Sequence, residues 1–165
     1  MTENNFNLSE FYHEIYIDAS ITQVFKLVAT SHGICSWFIG ECIYTSNDSS
    51  NRMNDEIAQK GDIYQWKWLN KELKITGEVL ESVDNELFRF TFGKDFVVSI
   101  KLKEEGKRTL ISLFHSYKPG TAHNDFAFIN CCVCWVFFLT NLKSVAENNI
   151  DLREINSTKE TLINY

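Results

Sequence analysis

The 165-residue sequence has no basic excess and no basic run: 16 Lys and Arg stand against 22 Asp and Glu, for a net charge of −6 and a pI near 5.2. Cations scattered over an acidic chain leave no electrostatic footprint of the kind nucleic acid requires, so no nucleic-acid partner is expected. The opening MTENNFNLSE has neither a basic segment nor an apolar one, which argues against an export signal and for a cytoplasmic location. Long apolar runs are missing too. The most apolar stretch, Phe126 to Leu139, is only about 14 residues and is interrupted by Asn130, where roughly 20 are needed to span a bilayer. No membrane anchor is expected. The 5 cysteines are an odd number and are read as reduced thiols behaving as small hydrophobes, not as a disulfide frame.

Metal and nucleotide signatures are absent as well. Cys131, Cys132 and Cys134 cannot all face one ion from a single helix, and His13, His32 and His123 are isolated, so neither a metal nor a cofactor is expected. Gly106-Lys107-Arg108-Thr109 lacks the glycine that a phosphate loop carries five residues earlier, where Lys101 stands, and reads as a hairpin turn. What the chain has in plenty is aromatic: 13 Phe, 6 Tyr and 4 Trp, with 44% apolar residues in all. That is ample for the core of one domain and more ring surface than such a core needs, which points to a roomy aromatic interior or an aromatic surface.

The stretch Asn124 to Asn149 organises the rest. At about 100° per residue, Phe128, Cys131, Cys132, Trp135, Phe138, Leu139, Leu142, Val145 and Ala146 fall on one side of a helix that Asn124 caps. At 1.5 Å per residue this is a rod of roughly 39 Å, long enough to cross a small domain. Upstream, Phe11 to Asp18 alternates like a strand with one wet face. From Ser20 the period becomes helical, with Gln23 at the capping-box position, and a second short helix is expected over Ser31 to Trp37.

Strands are then expected over Gly40–Thr45, Asp62–Leu69, Glu72–Ser82, Glu86–Phe92, Asp95–Lys103 and Lys107–Ser116, joined by hairpin-length turns into an antiparallel meander. Between the first two, Ser46 to Asn54 has few apolar anchors and is expected to be a mobile loop. After the long helix comes the tripeptide Asp151-Leu152-Arg153, and then a polar tail expected to fray. No linker is read, so one domain covers 1–165, with a core of about 11–153.

Several stretches, in this order, resemble a known family: IDASITQVFKLVATSHGICSWF (17–38), GDIYQWKW (61–68), ITGEVLESVDNELFRFTFG (75–93), KRTLISLFHS (107–116) and CWVFFLTNLKSVAENNIDLR (134–153). They are similar to the START-like, polyketide-cyclase-like superfamily called SRPBCC, and within it to the family named for the activator of the heat-shock protein ATPase. The resemblance implies an α+β helix-grip fold, in which a curved antiparallel sheet wraps a long C-terminal helix and two short helices follow the first strand. It also implies a cavity between sheet and helix that takes a small, largely apolar molecule. A co-chaperone-like role on a heat-shock ATPase is the rival reading. The ten polar residues before the first strand are too few for the extra N-terminal domain of the family's namesake, which weighs against it. Where family members carry glycine before the tryptophan of the last helix, this chain has Cys134 before Trp135.

Within that frame Tyr64, Trp66 and Trp68 share one strand face by alternation. Any one of these rings could simply fill core, but jointly with Phe90, Phe92, Phe128, Trp135 and Phe138 they are too bulky and too polar at their tips to close without voids, and a ligand or water can serve the tips of Tyr64 and Trp66. Phe38, Ile75 and Cys131 complete the expected lining. His115 ends the last strand at the cavity's expected mouth. It reads first as a structural histidine, because neither a nucleophile nor a carboxylate stands beside it in the sequence. An enzyme of the cyclase or hydrolase sort would have to draw on His115, Glu78 and Arg89, with Glu78 expected outside; this reading ranks third. On the far side of the long helix Phe126, Val133 and Phe137 form an apolar stripe. A second copy of the chain, making a homodimer, is the favoured cover over the two polar termini.

Overall fold

The computed structural model describes residues 8–156. Its order is β1 (Glu10–Ile17), α1 (Ile21–Ala29), α2 (Ser31–Cys35), β2 (Glu41–Thr45), β3 (Ile63–Lys67), β4 (Lys74–Val83), β5 (Leu87–Phe92), β6 (Phe96–Glu105), β7 (Arg108–Tyr117) and α3 (Asp125–Asn148). The strands form one antiparallel sheet in the order β1-β7-β6-β5-β4-β3-β2, so β1 skips the meander and closes against the last strand. The sheet curves around α3, which is the α+β helix-grip architecture. The fraying expected from residue 157 onward lies outside the described residues.

Register follows from the two-residue period. Phe11 lies opposite His115, Ile15 opposite Ile111, Val98 opposite His115 and Ile100 opposite Leu113, so one set of side chains faces α3 throughout. Glycines at φ 58 (Gly93) and 67 (Gly106) turn the chain between β5 and β6 and between β6 and β7, in the left-handed region that other residues rarely enter. β4 is divided between neighbours. Its ladder to β5 begins only at Val79, slipping between Val79 and Glu81, while Lys74 to Glu78 pair with β3 alone.

The helix caps fall where expected, with one difference at Gln23. Ser20 accepts from the Gln23 backbone N–H at 3.3 Å, but the Gln23 amide does not complete a capping box; it donates to Ala146 O on α3 at 3.2 Å. Asn124 caps α3 through Ala127 N–H at 3.1 Å, and Asn149 ends it at φ 56. The segment 46–54 is not the loose loop its composition implies. Arg52 forks onto buried Asp62, with Nη2 2.9 Å from Oδ1, and its Nη1 meets Glu56 at 2.8 Å. Asp48 gathers Ser46 and Ser50, and these hydrogen bonds hold its carboxyl well below the usual range. Anchors in this segment are ionic, so an apolar count misses them.

The end of α3 is pinned by a second polar knot. Buried Asn141 donates to Trp37 O at 2.7 Å and to Asp151 Oδ1 at 3.0 Å, and accepts from Leu152 N–H at 2.7 Å. The Arg153 guanidinium reaches Ile39 O at 2.9 Å and Cys35 O at 2.8 Å while pairing with Asp151. The Asp151-Leu152-Arg153 tripeptide thus ties the end of the grip to the α1–α2 elbow, and each nitrogen of its buried cation donates at least one hydrogen bond.

Candidate functional site

The expected lining residues do converge between the sheet and α3, in two groups. The larger surrounds Phe38, which α2 delivers to the middle of the interior. Its ring stacks on Trp135 at 4.8 Å and meets Trp66 (5.7 Å), Trp68 (5.3 Å) and Phe138 (4.8 Å) edge-on. Tyr64 stacks on Trp66 at 4.0 Å, Phe90 lies edge-on to Trp66 at 5.3 Å, and Phe92 leans on Trp135 at 5.8 Å. Ile75 is the cross-strand partner of Trp66. Trp68 lies just past the end of β3 and is only half-buried, because the strand stops at Lys67.

The smaller group surrounds His115 near the start of α3. Phe11 stacks on its imidazole at 4.6 Å and Phe96 at the same separation, with Phe128 at 6.4 Å and itself stacked on Tyr117. One hydrogen bond joins the groups: Trp135 Nε1–H donates to His115 Nδ1 at 3.2 Å. Accepting there leaves the neutral ring's proton on Nε2. Burial pushes His115 down to about 3, with the charge of His13 adding to it. The imidazole is therefore uncharged at neutral pH. Cys131 is half-buried on the same helix, and burial pushes its thiol up to about 12, so it offers no thiolate.

Among the described residues, four buried polar side-chain atoms lack a well-formed hydrogen bond: Tyr44 Oη, Trp66 Nε1, Ser82 Oγ and His115 Nε2. The tips flagged in the sequence therefore part ways. Tyr64 donates to Thr91 O, Trp66 Nε1–H and Tyr44 Oη lie beside each other and the Cys42 thiol without a well-formed hydrogen bond, and His115 Nε2–H sits among aromatic rings. Tyr44, which pairs with Tyr64 across β2 and β3, escaped sequence reasoning because its short strand carries only one apolar alternation. Its burial pushes the phenol well above its ordinary value, and the nearby Cys42 thiol adds to this. A buried donor left alone costs about 1–3 kcal/mol, and His115 Nε2–H is the clear case.

The expectation that Trp66 and Trp135 line one cavity meets a different arrangement. Both indoles are buried, but their neighbours are rings in contact. Clefts on the described surface include one between β4 and β5, one beside Trp68 and Lys71, and one between α1 and the end of α3. None is lined by Trp66 or Trp135. Glu78 and Arg89 are exposed on the outer face, as alternation implies, so neither carboxylate nor guanidinium reaches His115. Among the described residues no group of three His, Cys, Asp or Glu could hold a metal ion.

The back of α3 needs one correction. Phe126 and Val133 are exposed at 83% and 60%, and Ile129 and Val136 join them at 50% and 53%. Phe137 does not belong to this stripe; it is half-buried against the core, 5.3 Å from Phe138. A fixed 100° step puts Phe137 on the outside, whereas its ring turns edge-on to Phe138 and packs against the core. At 24 residues α3 is long and apolar enough to cross a membrane by length and composition, a test that core helices also pass; Trp135, Phe138, Leu139 and Leu142 are buried against the sheet.

Comparison with known proteins adds family and fold. The sequence profile of the family "Activator of Hsp90 ATPase homolog 1-like protein" matches residues 18–147. No curated protein sequence matches significantly. Among solved structures, SSP2350 from Staphylococcus saprophyticus superposes with a TM-score of 0.69 at 16% identity, over 87% of this chain and 96% of that one. The Aha1 dimer from Colwellia psychrerythraea gives 0.66 at 18% identity, over 84% and 96%. DynU16, described as a putative protein in the dynemicin biosynthetic locus, gives 0.64 at 16% identity, over 86% of this chain and 48% of that one. At such identities the likeness is one of fold.

Proposed function

Since the chain belongs to the family of Activator of Hsp90 ATPase homolog 1-like proteins, a group of helix-grip domains, we propose that it binds a small, largely apolar molecule between the sheet and α3, without a cofactor. The observation that carries this reading is His115 Nε2–H, a fully buried donor without an acceptor inside a shell of aromatic rings. Trp66 Nε1–H and Tyr44 Oη–H, close to each other and to the Cys42 thiol, add polar tips in the same interior without a well-formed hydrogen bond. Apolar sites with a few convergent polar anchors are the common design for small ligands. A guest with a carbonyl or ether oxygen would complete these bonds, and its body would part the stacked rings of Phe38 and Trp135. The protein acts in this reading as one cytoplasmic domain.

Native mass spectrometry of protein purified from its host is the direct test. The expected result is a retained small-molecule adduct that is depleted in His115→Phe and Trp66→Phe. Protein that carries no adduct, and whose tryptophan emission stays unchanged across a panel of apolar carbonyl compounds, would refute the reading. A pull-down with the chaperone and an ATPase assay separate it from the co-chaperone alternative.

A second reading, self-association, rests on the back of α3. Phe126, Ile129, Val133 and Val136 recur at spacings of 3, 4 and 3, the seam of a two-helix coil, and no charged side chain occurs between Asp125 and Lys143. A second copy laid antiparallel across this seam would cover it with no charge to desolvate. The terminal segments that offer the alternative cover lie outside the described residues.

A further inference from the structure

The sheet is split where β4 leaves β5. Past Val79 the two strands share no register toward the start of β4, yet β5 runs on to Phe92 against β6. The gap is a cleft of about 600 Å³ whose walls include Ile75, Gly77, Glu78, Thr91, Lys94 and Lys118, a size within the range of small-ligand sites. Side chains bridge it in place of a backbone ladder. Tyr64 lies opposite Gly77, and a Cβ on Gly77 would overlap both the Tyr64 hydroxyl and Thr91 Oγ1. Glycine is what lets the phenol cross β4 and donate to Thr91 O. Thr91 Oγ1 in turn accepts the Glu78 backbone N–H at 2.9 Å. With that N–H turned toward β5, the backbone groups of Thr76, two residues away, face the cleft as well.

Behind this floor is the aromatic interior: Tyr64 stacks on Trp66 at 4.0 Å, and Ile75 is the cross-strand partner of the same indole. At the mouth two cations stand against one carboxylate. Lys118 Nζ donates to Gly93 O at 3.1 Å and Lys94 O at 2.8 Å, leaving one of its three N–H groups free, and Lys94 is exposed. We infer that the β4–β5 split is the way into the interior, and that it takes a free amphiphile whose anionic end stays at Lys94 and Lys118. The apolar tail passes beside Gly77 when the Tyr64 phenol leaves Thr91, because two hydrogen bonds to Thr91, from the Tyr64 phenol and the Glu78 backbone N–H, close the gap where a ladder would hold it shut. The inference rests on the ligand-binding reading above and adds to it a route and the charge of the ligand.

The test uses a dansyl-labelled undecanoic acid and its uncharged counterpart, the alcohol with the same chain and label, at low salt. The full chain should bind the acid about fivefold or more tightly than the alcohol, a preference that salt weakens. Lys94→Glu and, independently, Lys118→Met should bring that ratio to about one, whereas Lys107→Glu, at the opposite end of β6, should preserve it. Tyr64→Phe should speed the entry of both probes in stopped-flow mixing. An unchanged acid-to-alcohol ratio in both lysine variants overturns the anionic end. An unchanged entry rate in Tyr64→Phe overturns the route, and either failure leaves ligand binding standing if the alcohol binds. If neither probe binds, the inference and the reading beneath it fall together.

Discussion

The two halves of α3 are made of similar residues and live in different surroundings. From Phe138 onward the helix is core: Phe138, Leu139, Asn141, Leu142 and Ala146 are buried, and the Asn141–Asp151–Arg153 knot locks it to the elbow after β1. Further bonds run to the start of the chain, where Lys143 meets Tyr16 O and Glu147 meets Asp18 N–H. In the first half only Phe128 and Trp135 are buried, and an apolar seam faces out. The difference teaches that the grip is one-ended. The C-terminal half carries the polar ties to the elbow, and the N-terminal half leaves an apolar seam on the surface.

Breaking the held half should have the largest effect. Leu142→Ala empties a fully buried site and should cost about 2–5 kcal/mol, whereas Val136→Ala on the exposed seam should stay within about 0.5 kcal/mol. Denaturant midpoints measure both. Equal losses would mean that the halves do not differ.

Acid should sharpen the comparison next, because His115 titrates at the loose end. Folded, it is held neutral down to about 3; its ordinary value is 6.5. Between these limits the unfolded chain takes up a proton that the folded one refuses. Its contribution is thus complete above pH 6.5 and is lost as the pH falls toward 3, at up to about 1.4 kcal/mol per pH unit. His115→Phe keeps the ring stack without the titration, so its stability should fall less steeply over that window in chemical denaturation followed at several pH values. Parallel acid limbs for the two proteins would contradict the buried neutral imidazole.

The smallest effect on folding should come from the seam. Val133→Glu should leave monomer stability nearly unchanged, since its side chain is 60% exposed, yet shift sedimentation equilibrium from dimer toward monomer. A monomeric parent, or a variant dimer as tight as the parent, removes the self-association reading.

Much of this was legible in the chain. The stripe from Phe128 to Ala146, the alternation of Phe11 to Ile17 and the meander all depend on periods of 3.6 and 2, which a sequence displays directly. Most of the aromatic lining followed from the same periods. Errors fell where a contact partner is distant in sequence. Gln23 was assigned to a local capping box but binds Ala146 O, 123 residues away. Arg52 reaches across its loop to buried Asp62. Phe137 packs partly into the core, which a helical wheel does not contain.

By itself the sequence determined the element order, the inward faces and the aromatic character of the interior, because local sterics and solvent exclusion act on neighbours a few residues apart. Only the tertiary structure decided which polar tips found partners, where the sheet parts between β4 and β5, and which half of α3 is held. Each of those outcomes is set by groups brought together from opposite ends of the chain, where a shift of one strand register or of a few ångströms makes or removes a hydrogen bond.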